Sequence, residues 1–137
     1  MATLLDKEAP KTCKAILEAV PLEGDLLHGI ISGEEVLFAF QNDGTRRLEP
    51  ENLVFKYIPG DVLFYYNHWG DGKYLKDNPE GSELVFIYGR YVQLRDRSLR
   101  QTGASLFASI DDKLPEFEAI CRRIRSQGAT KVRVARA

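Results

Sequence analysis

Five apolar residues in a row, Leu84-Val85-Phe86-Ile87-Tyr88, followed at once by Gly89-Arg90, constrain this chain more than any other segment. A strand turns successive side chains to opposite faces, so a run without polar alternation needs cover on both sides. The segment therefore predicts a central strand buried on both faces, or a strand that closes a barrel.

Around it the chain reads as short strands broken by turns, with one helix near each end. Thr3-Leu4-Leu5 predicts a short strand before the polar turn Asp6-Lys7-Glu8. Pro10 then opens a helix, because the N–H that proline lacks has no partner in a first turn anyway. Cys13, Ile16, Leu17 and Val20 recur at helical spacing, and Pro21 stops the helix. Leu26–Ser32 and Glu35–Phe40 predict a hairpin across Gly33-Glu34. In its first strand Leu26, His28 and Ile30 share one face, while Leu27, Gly29 and Ile31 share the other. Further strands are expected at Leu53–Tyr57, ended by Pro59-Gly60, and at Val62–Tyr66. A second amphipathic helix runs from about Leu114 to Ser126, with Phe117, Ile120, Cys121 and Ile124 on one face and Glu118 four residues before Arg122. Asp111 or Asp112 is expected to cap its start and Gly128 to end it. Lys131–Arg136 alternates basic and small apolar residues, the pattern of an edge strand whose cations discourage further pairing.

At 137 residues and 44% apolar content, the chain supports one domain spanning 1–137, without repeats or a composition break. With 19 basic against 20 acidic side chains there is no net positive field, so no nucleic-acid partner is expected. Arg90, Arg95, Arg97 and Arg100, with Asp96 among them, read as a solvated loop. No stretch reaches the ~18–20 apolar residues of a membrane span, so no membrane partner is expected and the cytoplasm is the expected location. Cys13 and Cys121 lie in helical apolar stripes and read as buried thiols, with no C-x-x-C or zinc spacing.

Val62–Tyr66 empties into Asn67-His68-Trp69-Gly70-Asp71-Gly72-Lys73-Tyr74, which holds the only Trp and one of the two His. As plain structure this is a long hairpin loop: the glycines supply positive φ, Asp71 makes an Asx turn and Trp69 packs back on the sheet. As a site, it sets His68 as base or proton shuttle beside Tyr66, Trp69, Asp71, Lys73 and Tyr74. His28 is its expected catalytic partner. Arg90 or Lys73 is placed to hold a substrate carboxylate, and Glu34 or Glu35 supplies an acid. No metal and no cofactor are expected, because two His forty residues apart give no ligand spacing.

Ala9–Leu17, arriving after an apolar pair and an acidic turn, resembles the strand-to-helix entry of cyclophilins, and Ala104–Ile110 resembles a second cyclophilin signature. Pro21–Gly24, Ser32–Val36 and Pro59–Leu63 resemble segments of small, uncharacterised bacterial cyclophilin-like proteins, themselves similar to the barrel domain of cucumopine synthases. The resemblance implies a mainly β fold, a closed barrel of about eight strands with a helix over each opening. It also implies that either the first strand of the usual hairpin is missing or the barrel closes another way. Prolyl isomerase activity is not expected, since His28 is followed by Gly29-Ile30-Ile31 and no Arg appears until Arg46. The expected function is binding or transforming a small amino-acid-like or carboxylated metabolite at the barrel mouth, the latter through chemistry like the Pictet–Spengler closure of those synthases. The alternative is a non-catalytic oligomeric or peptide-binding module; a homo-oligomer is expected in either case.

Overall fold

The computed structural model describes residues 1–41, 48–66, 81–96 and 99–137. In chain order the elements are β1 (Ala2–Leu4), α1 (Pro10–Ala19), β2 (Leu22–His28), β3 (Gly33–Gln41), β4 (Leu53–Val54) and β5 (Asp61–Tyr66). They continue as β6 (Gly81–Val92), β7 (Ala104–Ile110), α2 (Leu114–Gln127) and β8 (Thr130–Val134). The strands form one antiparallel sheet in the order β1-β7-β5-β6-β3-β2-β8, with β4 also on β7.

The apolar run lies in the interior of β6, between β5 and β3, and both of its faces are covered. Leu84, Phe86 and Tyr88 join a core with Val36, Phe38, Val62, Phe64 and the helix residues Cys13, Ile16, Cys121 and Ile124. On the opposite face Val85 and Ile87 pack with Leu63, Leu94 and Ala104. Leu94 comes from the connection between β6 and β7, so that connection supplies cover where no helix does.

The sheet is an open half-barrel. No ladder joins β1 to β8 among the described residues, so the closure expected from the sequence is not part of the described fold. The outer edges are blunted instead. β1 has three residues, and along β8 Lys131 pairs with Asp25 at 2.8 Å and Arg133 with Glu23 at 3.2 Å. Short and charged edges resist further strand addition without barrel closure.

Both helices start differently from a simple capping pattern. Ala9 precedes α1 and gives no side-chain cap; Glu51, distant in sequence, takes that role by accepting the Thr12 backbone N–H at 2.8 Å and its hydroxyl at 3.0 Å. A carboxylate at a helix N-terminus satisfies an orphan donor and opposes the helix dipole. At α2 neither Asp111 nor Asp112 caps. Lys113 occupies the N-cap in a left-handed conformation, while Asp111 accepts the Ser109 hydroxyl at 2.8 Å and Asp112 binds the N-terminal ammonium. These partners outcompete the helix start for the two carboxylates. Gly128 ends α2 at φ 93°, its N–H donating to the Ile124 carbonyl.

Cys13 and Cys121 are buried and unbridged, and burial pushes the Cys121 thiol up to about 12. The strand expected over Leu53–Tyr57 stops after two residues, because Tyr57 turns its hydroxyl back to the Val54 and Thr102 carbonyls. Among the described residues no helix is long and apolar enough to cross a membrane.

The Glu51 contact ties α1 to the sheet, since the Glu51 N–H also donates to Ser105 Oγ on β7 at 3.1 Å. Glu51→Ala is expected to lower stability by about 1–2 kcal/mol, the range for a lost N-terminal cap. A urea midpoint shifted down with an unchanged m-value confirms it; an unshifted midpoint refutes it.

Candidate functional site

Residues 34 and 35 point to opposite faces of the sheet, and their carboxyls meet opposite fates. On the helix side, Glu34 accepts Arg122 Nη1 at 3.0 Å and the Tyr91 N–H at 3.2 Å. Burial acts to raise its pKa, but the Tyr91 and Arg122 contacts outweigh this and hold it below the usual carboxylate value. Arg122 also binds Glu118 at 2.8 Å and sets its guanidinium 5.4 Å from the centre of the Tyr88 ring. The Tyr88 hydroxyl and His28 Nε2 share a hydrogen bond of 2.7 Å, whose donor depends on the imidazole tautomer. Burial, reinforced by Arg125 and opposed by Glu34, lowers the His28 pKa and favours a neutral ring.

On the other side, Glu35 is 2% exposed and its Oε2 has no partner among the described residues. Burial, with the nearby Glu83 charge adding to it, pushes this carboxyl up to about 8. Two features of sequence put it there. The cross-strand pair Glu35–Ile87 sits in the same alternation as Leu37–Val85, so Glu35 faces away from the helices. Gly29, opposite it just past the end of β2, leaves room: a methyl at that position would overlap the Glu35 carboxyl.

Glu35 borders a cavity of about 470 Å³, within the rough 300–1,000 Å³ span of small-molecule sites. Leu37, Val85 and Leu94 give it apolar walls, Tyr65 and Glu83 stand at the sheet, and Gly29–Ser32 supply the β2–β3 turn. Arg95, Asp96, Leu99 and Thr102 come from the β6–β7 connection. His28 borders it too. A second cavity, of about 290 Å³, adjoins the first through Tyr65 and Thr102 and is lined by Phe55, Phe64 and Gln101.

The family described as "Protein of unknown function (DUF3830)" matches residues 1–136. The chain belongs to that family. No curated protein matches it. DUF3830 membership covers the whole described sheet and both helices, so the cavity is part of the family domain.

Of the residues expected from the sequence to form the site, His28 and Glu34 lie on neighbouring strands, with His28 also at the cavity. Arg90 is exposed on β6 and is not among the residues bordering the cavity. Tyr66 is in β5 opposite Ser82, but its side chain lies outside the described residues, as do His68, Trp69, Asp71, Lys73 and Tyr74 altogether. Arg95, read from sequence as part of a solvated loop, stands at the cavity rim with its Nη1 donating to the Leu99 carbonyl and its Nη2 to Gln93. The legible signal for Glu35 was its place in line with Leu37 and Ala39, an acid on an apolar face. Among the described residues no three His, Cys, Asp or Glu side chains are grouped to hold a metal.

A carboxyl raised from 4.5 to about 8 keeps its proton in the folded state after the unfolded chain has lost it. Its contribution is therefore full below pH 4.5 and is lost as pH rises toward 8, at most about 1.4 kcal/mol per unit. His28, with its lowered pKa, acts in the reverse sense and costs stability as pH falls below its ordinary 6.5. Comparing parent with Glu35→Gln isolates the carboxyl. The parent's thermal midpoint relative to the variant's is expected to fall between pH 5 and 8, leaving the variant more stable at pH 8; parallel profiles would contradict the assignment.

Proposed function

We propose that this DUF3830 chain binds a small amino-acid-like or carboxylated metabolite in the cavity bordered by Glu35 and His28. One observation carries the reading. Glu35 Oε2 is a buried side-chain polar atom without a partner among the described residues, and Glu35 borders the cavity. A buried polar group left unpaired costs about 1–3 kcal/mol, which a bound ligand or water recovers. Apolar walls with a few polar groups, at least one of perturbed pKa, are the usual composition of a ligand site.

The residues also offer chemistry. Glu35 holds a proton near neutral pH and can act as an acid. The connection that carries His68 leaves and rejoins the sheet beside Tyr65 and Glu83, a cross-strand pair that borders the cavity. The cyclophilin-like resemblance belongs to the same reading: eight antiparallel strands with two helices are compatible with it, and such a barrel offers a mouth for a small ligand.

A thermal-shift series with amino acids, α-keto acids and small carboxylates tests the proposal. A true ligand at 100 times its Kd stabilises the parent by about 2.7 kcal/mol and Glu35→Gln or His28→Ala far less. His68→Ala, run alongside, reads whether that side chain takes part. If none of these compounds moves the parent's midpoint, or all variants shift with it, the reading of an amino-acid-like or carboxylated ligand in this cavity fails.

A further inference from the structure

The cavity has a carboxyl toward each end of an aliphatic floor. On the face turned from the helices the register runs Glu35–Ile87, Leu37–Val85 and Ala39–Glu83, so Glu35 and Glu83 are four residues apart along the ladder. At ~3.3 Å per residue their backbones are separated by ~13 Å along the ladder. Leu37 and Val85 fill that gap and offer no hydrogen bonds of their own. The arrangement is acid, hydrocarbon, acid.

We infer that the cavity selects an aliphatic chain bearing a primary ammonium group at each end, as in an α,ω-diamine or a basic amino acid, one ammonium at Glu35 and the other toward Glu83. The inference rests on the proposed ligand site and redefines its ligand by the ammonium groups it carries. Three features support it. Glu35 Oε2 is buried and without a partner, so it gains a hydrogen bond that no described group supplies. Methylenes over Leu37, Val85 and Leu94 leave water for apolar contact. A carboxylate beside Glu83 would instead be repelled, whereas a basic amino acid can turn its carboxylate to Arg95 at the rim, which keeps further N–H donors after binding Leu99 and Gln93.

Among the described residues, the charged and titratable groups around the cavity are His28 from β2, Glu35 from β3, Tyr65 from β5, Glu83 from β6, and Arg95 and Asp96 from the β6–β7 connection. Arg100 already engages Asp96 at 3.0 Å, and Arg122 holds Glu34 on the far side of the sheet. The free protein keeps Glu35 protonated at neutral pH, so an arriving ammonium releases that proton and binding tightens as pH rises from 6 to 8.

Isothermal titration of the full chain with 1,4-diaminobutane, 1,5-diaminopentane, n-butylamine, ornithine, leucine and butyrate decides the matter. At pH 7 a diamine is expected to bind at least about ten-fold more tightly than n-butylamine and to release about one proton, read from the dependence of the heat on buffer ionisation. Glu35→Gln is expected to abolish the proton release and the preference for two ammonium groups. Leu37→Phe fills the middle of the cavity without touching either carboxyl and should block the diamine, while Arg133→Ala on β8 should change nothing. Arg95→Ala should weaken ornithine and spare the diamines. Binding of leucine or butyrate without the diamines would overturn this inference and leave the ligand site standing; no binding by any probe would overturn both. Diamine binding that is unchanged in both Glu35→Gln and Leu37→Phe would also overturn it.

Discussion

The double-sided ladder of β6 is the constraint on which the rest depends. Because β6 pairs with β5 on one edge and β3 on the other, its apolar run fixes the register of both neighbours and gives each of its faces a core. A shift of one residue would send Leu84, Phe86 and Tyr88 to the wrong side, so the register is strongly specified. The same alternation then sorts the two acids of β3. Glu34 is delivered to α2 and Glu35 to the cavity, although they are neighbours in sequence.

Alternation read in this way also explains why the two faces differ in kind. On the helix side, His28 Nε2, Tyr88, Arg122, Glu34 and Glu118 form a chain in which each group meets a partner of opposite charge or complementary hydrogen bonding. Such a chain fastens α2 to the sheet. On the other side, a carboxyl is kept neutral by burial and leaves an oxygen unanswered. A satisfied network holds structure, and an unsatisfied group at a cavity invites a ligand.

Much of the fold was legible from local signals. Pro10 and the spacing of Cys13 and Ile16 gave α1, Gly128 gave the end of α2, and the alternating Lys and Arg of β8 gave an edge. What local signals hid came from partners far away in sequence. Nothing near Thr12 announces Glu51 as its cap, and Asp112 looked like a cap because the N-terminus, which claims it, is over a hundred residues distant. The site was hidden for a related reason. His68 and its neighbours are conspicuous because so many reactive side chains stand close together in sequence, and they lie outside the described residues. Glu35 and Arg95 become neighbours of one cavity only when the β6–β7 connection folds across the sheet. Arg90 looked suitable because it follows the buried run, yet its side chain is exposed beyond the cavity's lining.

Gly29 and Glu35 are bound in another way. The carboxyl occupies the volume that any side chain at position 29 would need, so the glycine is required by its neighbour rather than by its own backbone angles. The two positions are therefore epistatic, and the order of substitution matters. A chain that first exchanges Glu35 for a smaller residue frees Gly29 to change, whereas one that first gains a side chain at position 29 meets a steric barrier. Loss of the acid opens a path that addition of bulk closes.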